Sequence, residues 1–441
     1  MAYVKDTIAA RATAPGRGGI GIVRVSGPAV KEISRQLLGE IPAPRMATYT
    51  DFNDGRNVID QGIALYFNAP ASFTGEDVLE LQGHGGPVVL EMLLNRIISL
   101  GARIARPGEF SQRAYLNDKM DLVQAEAIAD LINSSTEAAA RGAVRSLQGE
   151  FSTRINHLVS SVIALRVFVE ASIDFPEEEI DFLSDERIEA QLTEIFQLLD
   201  DTIDQTSHGA LLVEGASVVL MGKPNAGKSS LMNLLTGRET SIVTEIPGTT
   251  RDVVNETLQL DGIPLRLVDT AGIRDSLDKI EAEGVKRALA AGEEADLVIA
   301  VVDASEPDPV KQARSLMEDS RMVVVFNKID LVADTSELSG GIQMSAKTGL
   351  GLQSLKDQLK KRLGLSVNVG SGFTARNRHL VALAHAREAL VAARSSLVEQ
   401  RAGELVAEEL RVCQHNLSEI TGEFTADDLL GEIFGSFCIG K

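Results

Sequence analysis

One stretch narrows the fold of this 441-residue chain more than any other: "GKPNAGKSSLMN", starting at Gly222, with the apolar run "ASVVLM" before it and helix-forming sequence after it. Gly222 to Ser229 fits the spacing G-x-x-x-x-G-K-S, and a strand feeding a helix through such a loop is the context the pattern requires. Glycines at 222 and 227, with Asn225 and Ala226 between them, let backbone amides close around phosphate oxygens, and the helix N-terminus favours the bound anion. In that loop Lys228 reaches the β- and γ-phosphates, Ser229 ligates Mg²⁺, and Ser230 completes the binding stretch.

Elements further along the chain select the base. "LRLVDTAG" puts Asp269 at a strand end, where it holds Mg²⁺ through water, and Thr270, Ala271 and Gly272 follow, with the Gly272 amide free to donate to a γ-phosphate. "MVVVFNKID" ends a later strand in Asn327, Lys328 and Asp330. The Asp330 carboxylate can accept the N1–H and 2-amino hydrogens of guanine; adenine offers neither, and a carboxylate left unpaired is a heavy penalty. "MSAKTG" supplies Ser345, Ala346 and Lys347 to close the base pocket. Together these predict GTP as the ligand. "VTEIPGTTRD" then makes a first switch loop in which Thr244, Glu245, Ile246, Pro247, Gly248 and Thr249 lead to Thr250, a second Mg²⁺ ligand. Hydrolysis is harder to read. Many GTPases carry a water-orienting glutamine after D-x-x-G, but here the position is Ile273. Arg274, Asp275, Asp278, Glu281 and Glu283 are all available nearby, and residue chemistry alone leaves the choice open.

Around this site the texture changes three times. Residues 1–118 mix short strand-like runs with turn signals, as in "GIGIVRVSG" and "VLELQGHGGP", and predict a mixed α/β domain. From Lys119 to 213 long amphipathic helices are expected, with Leu147, Phe151, Leu158, Val162 and Leu165 on one face. Residues 214–370 alternate apolar runs with amphipathic stretches, as a parallel sheet wrapped by helices does. Over 371–441 helices resume, with Leu380, Leu383, Leu390 and Leu397 on one stripe. The expected architecture is a multidomain α/β chain in which a Ras-like P-loop GTPase domain is inserted into a helical bundle. The acidic run "PEEEIDFLSDE" reads as a solvated helix start. A net charge of −20 argues against unaided nucleic-acid binding, so an RNA substrate needs a local basic site or a basic partner. Two cysteines are too few for a disulfide framework and point to a reducing compartment. The N-terminal stretch lacks the apolar core of a signal peptide and no run of 18 apolar residues occurs, so a soluble, cytoplasmic protein with no membrane span is expected.

The motifs "PNAGKSSLMN", "IPGTTRD", "DTAGIR" and "IEAEG", with the N-terminal "DTIAARATAPGRGGIGIVRVSGP" and the terminal "CIGK", resemble the bacterial tRNA modification GTPases MnmE (TrmE) over essentially the whole chain. The resemblance implies an N-terminal tetrahydrofolate-binding domain that also dimerises, a central helical domain, and a GTPase domain inserted into it. It implies a homodimer that, with an FAD flavoprotein of the MnmG (GidA) type, installs a carboxymethylaminomethyl-type group at C5 of the wobble uridine of certain tRNAs. It further implies GTPase domains that pair face to face around K⁺, with Asn225, Thr244, Ile246 and Thr249 as its ligands, and Glu281 as the acid that orients water. A cation held among phosphates would supply the charge an arginine finger supplies elsewhere. The implied pocket for a 5-formyl- or methylene-type tetrahydrofolate uses Arg24, Glu80 and Lys119, with Lys441 reaching in. "PGRGGIG" also carries Gly16-x-Gly18-x-x-Gly21, but it precedes a strand instead of following one, so the dinucleotide reading fails its context and a glycine-rich loop remains.

Cys438 sits four residues from the chain end. Prenylation fits poorly, since the chain ends in Gly440-Lys441 and the preceding "TADDLLGEIFGSF" is acidic. A zinc site lacks partners, with Cys413 alone and no C-x-x-C present. The resemblance makes Cys438 a candidate participant in tRNA modification, as nucleophile, acid or packing group. A regulatory or ribosome-assembly GTPase that does no chemistry on RNA is the rival, because "PNAGKSSLMN" is shared with such switches. The N-terminal domain and the "CIGK" end favour the enzyme, since a pure switch needs neither.

Overall fold

The computed structural model describes residues 6–174, 186–237, 255–260, 262–269, 295–314, 321–364, 372–423, 427–438 and 440, and divides the chain into two compact units, residues 1–129 with 415–441 and residues 130–414. The acidic run that starts at Pro176 lies outside the described residues, apart from its last glutamate, Glu186, where a helix starts.

The first unit is built on β1 (Ile8–Arg11), β2 (Gly18–Ser26), β3 (Thr48–Asn53), β4 (Val58–Phe67), β5 (Val78–Gly85) and β6 (Arg103–Ile104), in the spatial order β3-β4-β5-β2-β1-β6. All neighbours are antiparallel except β1 and β6. Successive side chains on a strand point to opposite faces, so the alternation decides which residues go where. Val23, Val25, Ala64, Tyr66, Leu79 and Leu81 are buried with Ile33 and Leu37 of α1 (Val30–Leu38) and Leu90, Leu93 and Ile97 of α2 (Pro87–Ser99). Arg24 and Glu80, one step along β2 and β5, therefore lie on the other face. There Ile8, Ala10, Ala105 and Phe110 form a smaller cluster against Phe73. Phe110 belongs to α3 (Glu109–Leu116), which is followed by α4 (Leu122–Asn133).

Residues 415–441, continuous in sequence with the helices from 371, cluster with this unit instead. Leu430, Ile433, Phe434 and Phe437 are buried against Leu122, Ala125 and Ala129.

In the second unit, α5 (Glu137–Leu147), α6 (Glu150–Asp174), α7 (Glu186–Glu214) and a helix over Asn377–Ser395 (α11) form the helical part. Thr136 caps α5, its Oγ1 accepting from the Ala139 amide at 3.1 Å. The periodicity predicted Leu147 and Phe151 on one helix, but Gly149, at φ 88°, ends α5 before α6 begins. Within α6 the stripe holds: Phe151, Ile155, Leu158, Val162, Leu165 and Val169 are buried at steps of three and four. By length and composition α6 is long and apolar enough to cross a membrane, with 33% of that window buried along this stripe. The chain returns to the bundle at Phe373, which stacks on Phe151 with ring centroids 4.4 Å apart. Beside it Ser146 Oγ accepts from the Thr374 amide at 2.9 Å.

Gly215 turns the end of α7 directly into β7 (Ala216–Met221). A second sheet follows with β8 (Asn255–Leu260), β9 (Ile263–Asp269), β10 (Leu297–Asp303), β11 (Met322–Asn327) and β12 (Ile342–Gln343), in the order β12-β11-β10-β7-β9-β8. Only β8 runs antiparallel. The strands read as unbroken apolar runs because both faces are covered. Val218, Leu220, Ile299, Val301, Val323 and Val325 pack with Leu231 and Leu235 of α8 (Lys228–Thr236) and Leu355 and Leu359 of α10 (Leu352–Arg362). Ala300, Val302, Val324 and Phe326 pack the other way, with Ala313 of α9 (Pro309–Arg314) and Leu338. Beyond these, α12 (Gly403–Thr421) and α13 (Asp427–Gly435) complete the described helices.

Candidate functional site

The loop between β7 and α8 has the shape its glycines allow. Gly222 (φ 150°), Asn225 (φ 64°) and Gly227 (φ 96°) all have positive φ. A Cβ at Gly222 would collide with the Val301 carbonyl, and one at Gly227 with Asn327 Nδ2. Only glycine fits either place, on backbone and on space. Lys228 opens α8 and is 8% exposed, its Nζ donating to the carbonyls of Gly222 at 2.8 Å and Lys223 at 3.0 Å. The ammonium thus lies over the loop's own concavity, beside the positive end of a helix, which is a setting for an anion. Asn225, Ser229 and Ser230 are exposed at the rim, and Ala226 is buried beneath it.

Asn327 joins this loop to the next. It is 2% exposed; its Nδ2 donates to Ala226 O at 2.8 Å and its Oδ1 accepts from the Ala346 amide at 2.9 Å. One amide side chain therefore fixes the 345–347 loop against the loop at 222–229. Ser345 is buried and its Oγ accepts from the Thr348 amide at 3.2 Å, which holds the turn that presents exposed Lys347. Asp330 is exposed on the short 3-10 turn Ile329–Leu331. Lys328, at φ 65°, precedes that turn and its Nζ reaches Asp303 Oδ2 at 2.6 Å. Burial works to raise the Asp303 pKa, but hydrogen bonds from Lys328 and Ser305 outweigh it and hold the carboxyl below its ordinary range. Asp303 went unnoticed in the sequence; its place at the C-terminal end of a parallel strand, where such sheets hold ligands, was the available signal.

The backbone of Asp269 ends β9, alongside Leu220 of β7. Thr244, Glu245, Ile246, Pro247, Gly248, Thr249, Thr250, Thr270, Ala271, Gly272, Glu281 and Lys441 lie outside the described residues.

A second cluster occupies the first unit. Arg24 and Glu80 are directly opposite on β2 and β5, and Arg24 Nε donates to Glu80 Oε1 at 2.8 Å. The guanidinium lies over two rings, 5.5 Å from the Phe73 centroid and 5.6 Å from that of Phe110, within cation–π reach of both. Lys119 donates to Pro70 O at 3.1 Å, on the same 68–77 loop that carries Phe73. The chain end arrives here too. Cys438 is exposed and its carbonyl accepts from the Gly108 amide at 3.4 Å, two residues before Phe110. Gly440 packs so closely on Arg11 at the end of β1 that a Cβ would strike the Arg11 carbonyl. Cys413, by contrast, is fully buried, and burial pushes its thiol up to about 12. The two aromatic flanks were invisible to sequence reading because they come from separate segments.

Phe110 is set in place by the charged group before it. Glu109, 3% exposed, binds Arg103 and Arg113, and Arg113 also reaches Asp6 and Glu76. Burial would raise the Glu109 pKa, but Arg103, the Arg106 amide and Arg113 more than compensate and lower it to about 2.

A family model described as the GTP-binding protein TrmE N-terminus matches residues 7–119, and one described as the MnmE helical domain matches residues 122–438. Among solved structures, the G domain of the T. maritima FeoB iron transporter is 28% identical, with 33% of this chain and 98% of that one covered and a TM-score of 0.26. The FeoB G domain of Methanococcus jannaschii is 24% identical over 34% and 98%, with a TM-score of 0.26. A GTP-binding protein from Sulfolobus solfataricus, solved with GDP, is 17% identical over 47% and 67%, with a TM-score of 0.27. With one model spanning 122–438 and the other nearly all that precedes it, the chain belongs to the MnmE (TrmE) family of GTP hydrolases of tRNA modification, with an N-terminal TrmE domain, a helical domain and a P-loop GTPase domain.

Proposed function

We propose that this chain is a K⁺-stimulated GTPase that works as a homodimer with an FAD flavoprotein of the MnmG (GidA) type. Together they add a carboxymethylaminomethyl-type group to C5 of the wobble uridine of certain tRNAs, drawing the carbon from a tetrahydrofolate derivative. On this reading residues 214–370 bind GTP. Asn225, Ala226, Gly227, Lys228, Ser229 and Ser230 hold the phosphates, and Asn327, Lys328, Asp330, Ser345, Ala346 and Lys347 the base. Ser229 and Thr250 would hold Mg²⁺; Asn225, Thr244, Ile246 and Thr249 would hold K⁺; Glu281 would orient water.

The observation that carries the folate part is the Arg24–Glu80 pair, with the Phe73 and Phe110 ring centroids 5.5 and 5.6 Å from its guanidinium. Paired donors and acceptors flanked by rings suit a pterin, whose edge hydrogen-bonds and whose faces stack. Lys119, and Lys441 in the terminal segment, suit the anionic glutamyl tail. Cys438, exposed beside that cluster, is the candidate participant on the modified base.

The test is steady-state GTP hydrolysis in KCl against NaCl at equal ionic strength. A large K⁺ stimulation that Glu281→Ala abolishes supports the reading. Equal slow rates in both salts would remove K⁺, Asn225 and Glu281 from it and favour a regulatory switch.

A further inference from the structure

The turn after β10 touches both ends of the nucleotide loop system without lying in any motif. Asp303 ends β10 directly beside Asn327 on β11. The Ala304 amide donates to Asn327 O at 2.9 Å. One Asp303 oxygen is fixed by the Ser305 amide at 2.9 Å and Ser305 Oγ at 2.6 Å; the other takes Lys328 Nζ at 2.6 Å. Three residues on, Glu306 accepts from Lys223 Nζ at 2.7 Å, in the glycine loop itself.

We infer that Asp303 is a positioning residue for guanine-nucleotide binding, which acts by pinning Lys328 at the base pocket. The inference rests on reading 222–229 and 327–347 as a guanine-nucleotide site. Lys328 has a backbone conformation that side chains rarely adopt and a four-carbon stem with many rotamers. Tied at its ammonium to Asp303, the stem is confined to a path from the end of β11 to the end of β10, and an aliphatic stem held that way is a surface a planar base can lie against. Ordering it in advance removes a cost that binding would otherwise carry. Asp303 itself is 11% exposed at its side chain and already filled by protein donors, so it acts through Lys328 and not on the ligand.

The experiment is titration of the full chain with fluorescent GDP, with GTP turnover measured in parallel. Asp303→Asn should weaken GDP about tenfold, because a charge-assisted hydrogen bond becomes a neutral one, and the loss should appear in KM, with turnover at saturating GTP retained. In a Lys328→Met background the same change should have no further effect. If Asp303→Asn leaves the affinity unaltered, or weakens it equally without Lys328, the inference is wrong. Should that variant not fold, Ser305→Ala, which removes one of the two donors on that Asp303 oxygen and leaves the backbone amide in place, should shift the affinity the same way by about threefold; no shift would also overturn it. A wild-type chain that binds no GDP would instead sink the nucleotide reading.

Discussion

The two candidate sites are built by opposite means. The loop at 222–229 is a backbone object: positive φ at Gly222, Asn225 and Gly227, a helix N-terminus, and a lysine folded over its own carbonyls, all within eight consecutive residues. The Arg24 cluster is a side-chain object gathered from β2, β5, the 68–77 loop, α3 and the chain end. A site of the first kind tolerates little at a few positions and much elsewhere. The second kind spreads its requirements over many residues, each replaceable at moderate cost. The contrast can be broken by substitutions ranked by expected effect.

Gly227→Ala should be the most damaging. It places a Cβ against Asn327 Nδ2 and at a φ that alanine rarely adopts, so both the loop and its tie to 345–347 must shift. We expect GDP affinity to fall on the order of 300-fold, from strain plus one orphaned buried amide, while the melting of the first unit is unchanged. A loss under tenfold, read by fluorescent GDP titration, would show that the loop is not backbone-determined.

Next in size is the scaffold under Phe110. The Glu109 carboxyl has a folded pKa of about 2 against an ordinary 4.5. A lowered pKa gives stability that is present above the ordinary value and lost as pH falls through the folded one. Ionised Glu109 therefore contributes about 3 kcal/mol above pH 5, fading between about 4.5 and 2. Glu109→Gln should lower the melting temperature at pH 7 and narrow the gap to wild type as pH drops through that window. A pH-independent gap would mean that packing, and not charge, seats α3.

The glycine loop, the Asn327–Asp330 strand end and the Ser345–Lys347 loop are each local, so their spacing alone announces them. The alternation that sends Val23 inward and Arg24 outward was likewise visible in β2. Phe73 and Phe110 were not, because their meeting over Arg24 depends on how the 68–77 loop and α3 return to one sheet face. Asp303 was missed for the same reason: its partner Lys328 follows a different strand, β11. The break at Gly149 was hidden because helical periodicity runs through it undisturbed from Leu147 to Phe151. For the stretch after 414 the helices were legible and the surface they cover was not, since an amphipathic pattern does not name its partner, here Leu122, Ala125 and Ala129.

Arg24→Ala ranks third. It leaves Glu80, 16% exposed, without its counter-charge. Loss of one member of a partly buried charge pair costs about 2 kcal/mol. On the folate reading, affinity for a reduced folate measured calorimetrically should fall about 30-fold, with GDP binding untouched. Unchanged folate affinity would move the ligand away from Arg24, and a parallel loss of GDP binding would mean the two sites are not energetically separate.

Glu306→Gln should do least, and it tests the contrast most directly. It touches the same turn as Asp303, but its ion pair with Lys223 is open to solvent, with side chains 36% and 55% exposed. In water such a pair gains little Coulomb energy and is screened further by salt. At physiological ionic strength the GDP affinity should change by less than about twofold. If the glycine loop is held by its backbone, losing a surface tie at Lys223 cannot matter much. A tenfold effect from this one substitution would mean that the loop, too, depends on side chains at its rim, and the division between the two kinds of site would fail where it is most easily measured.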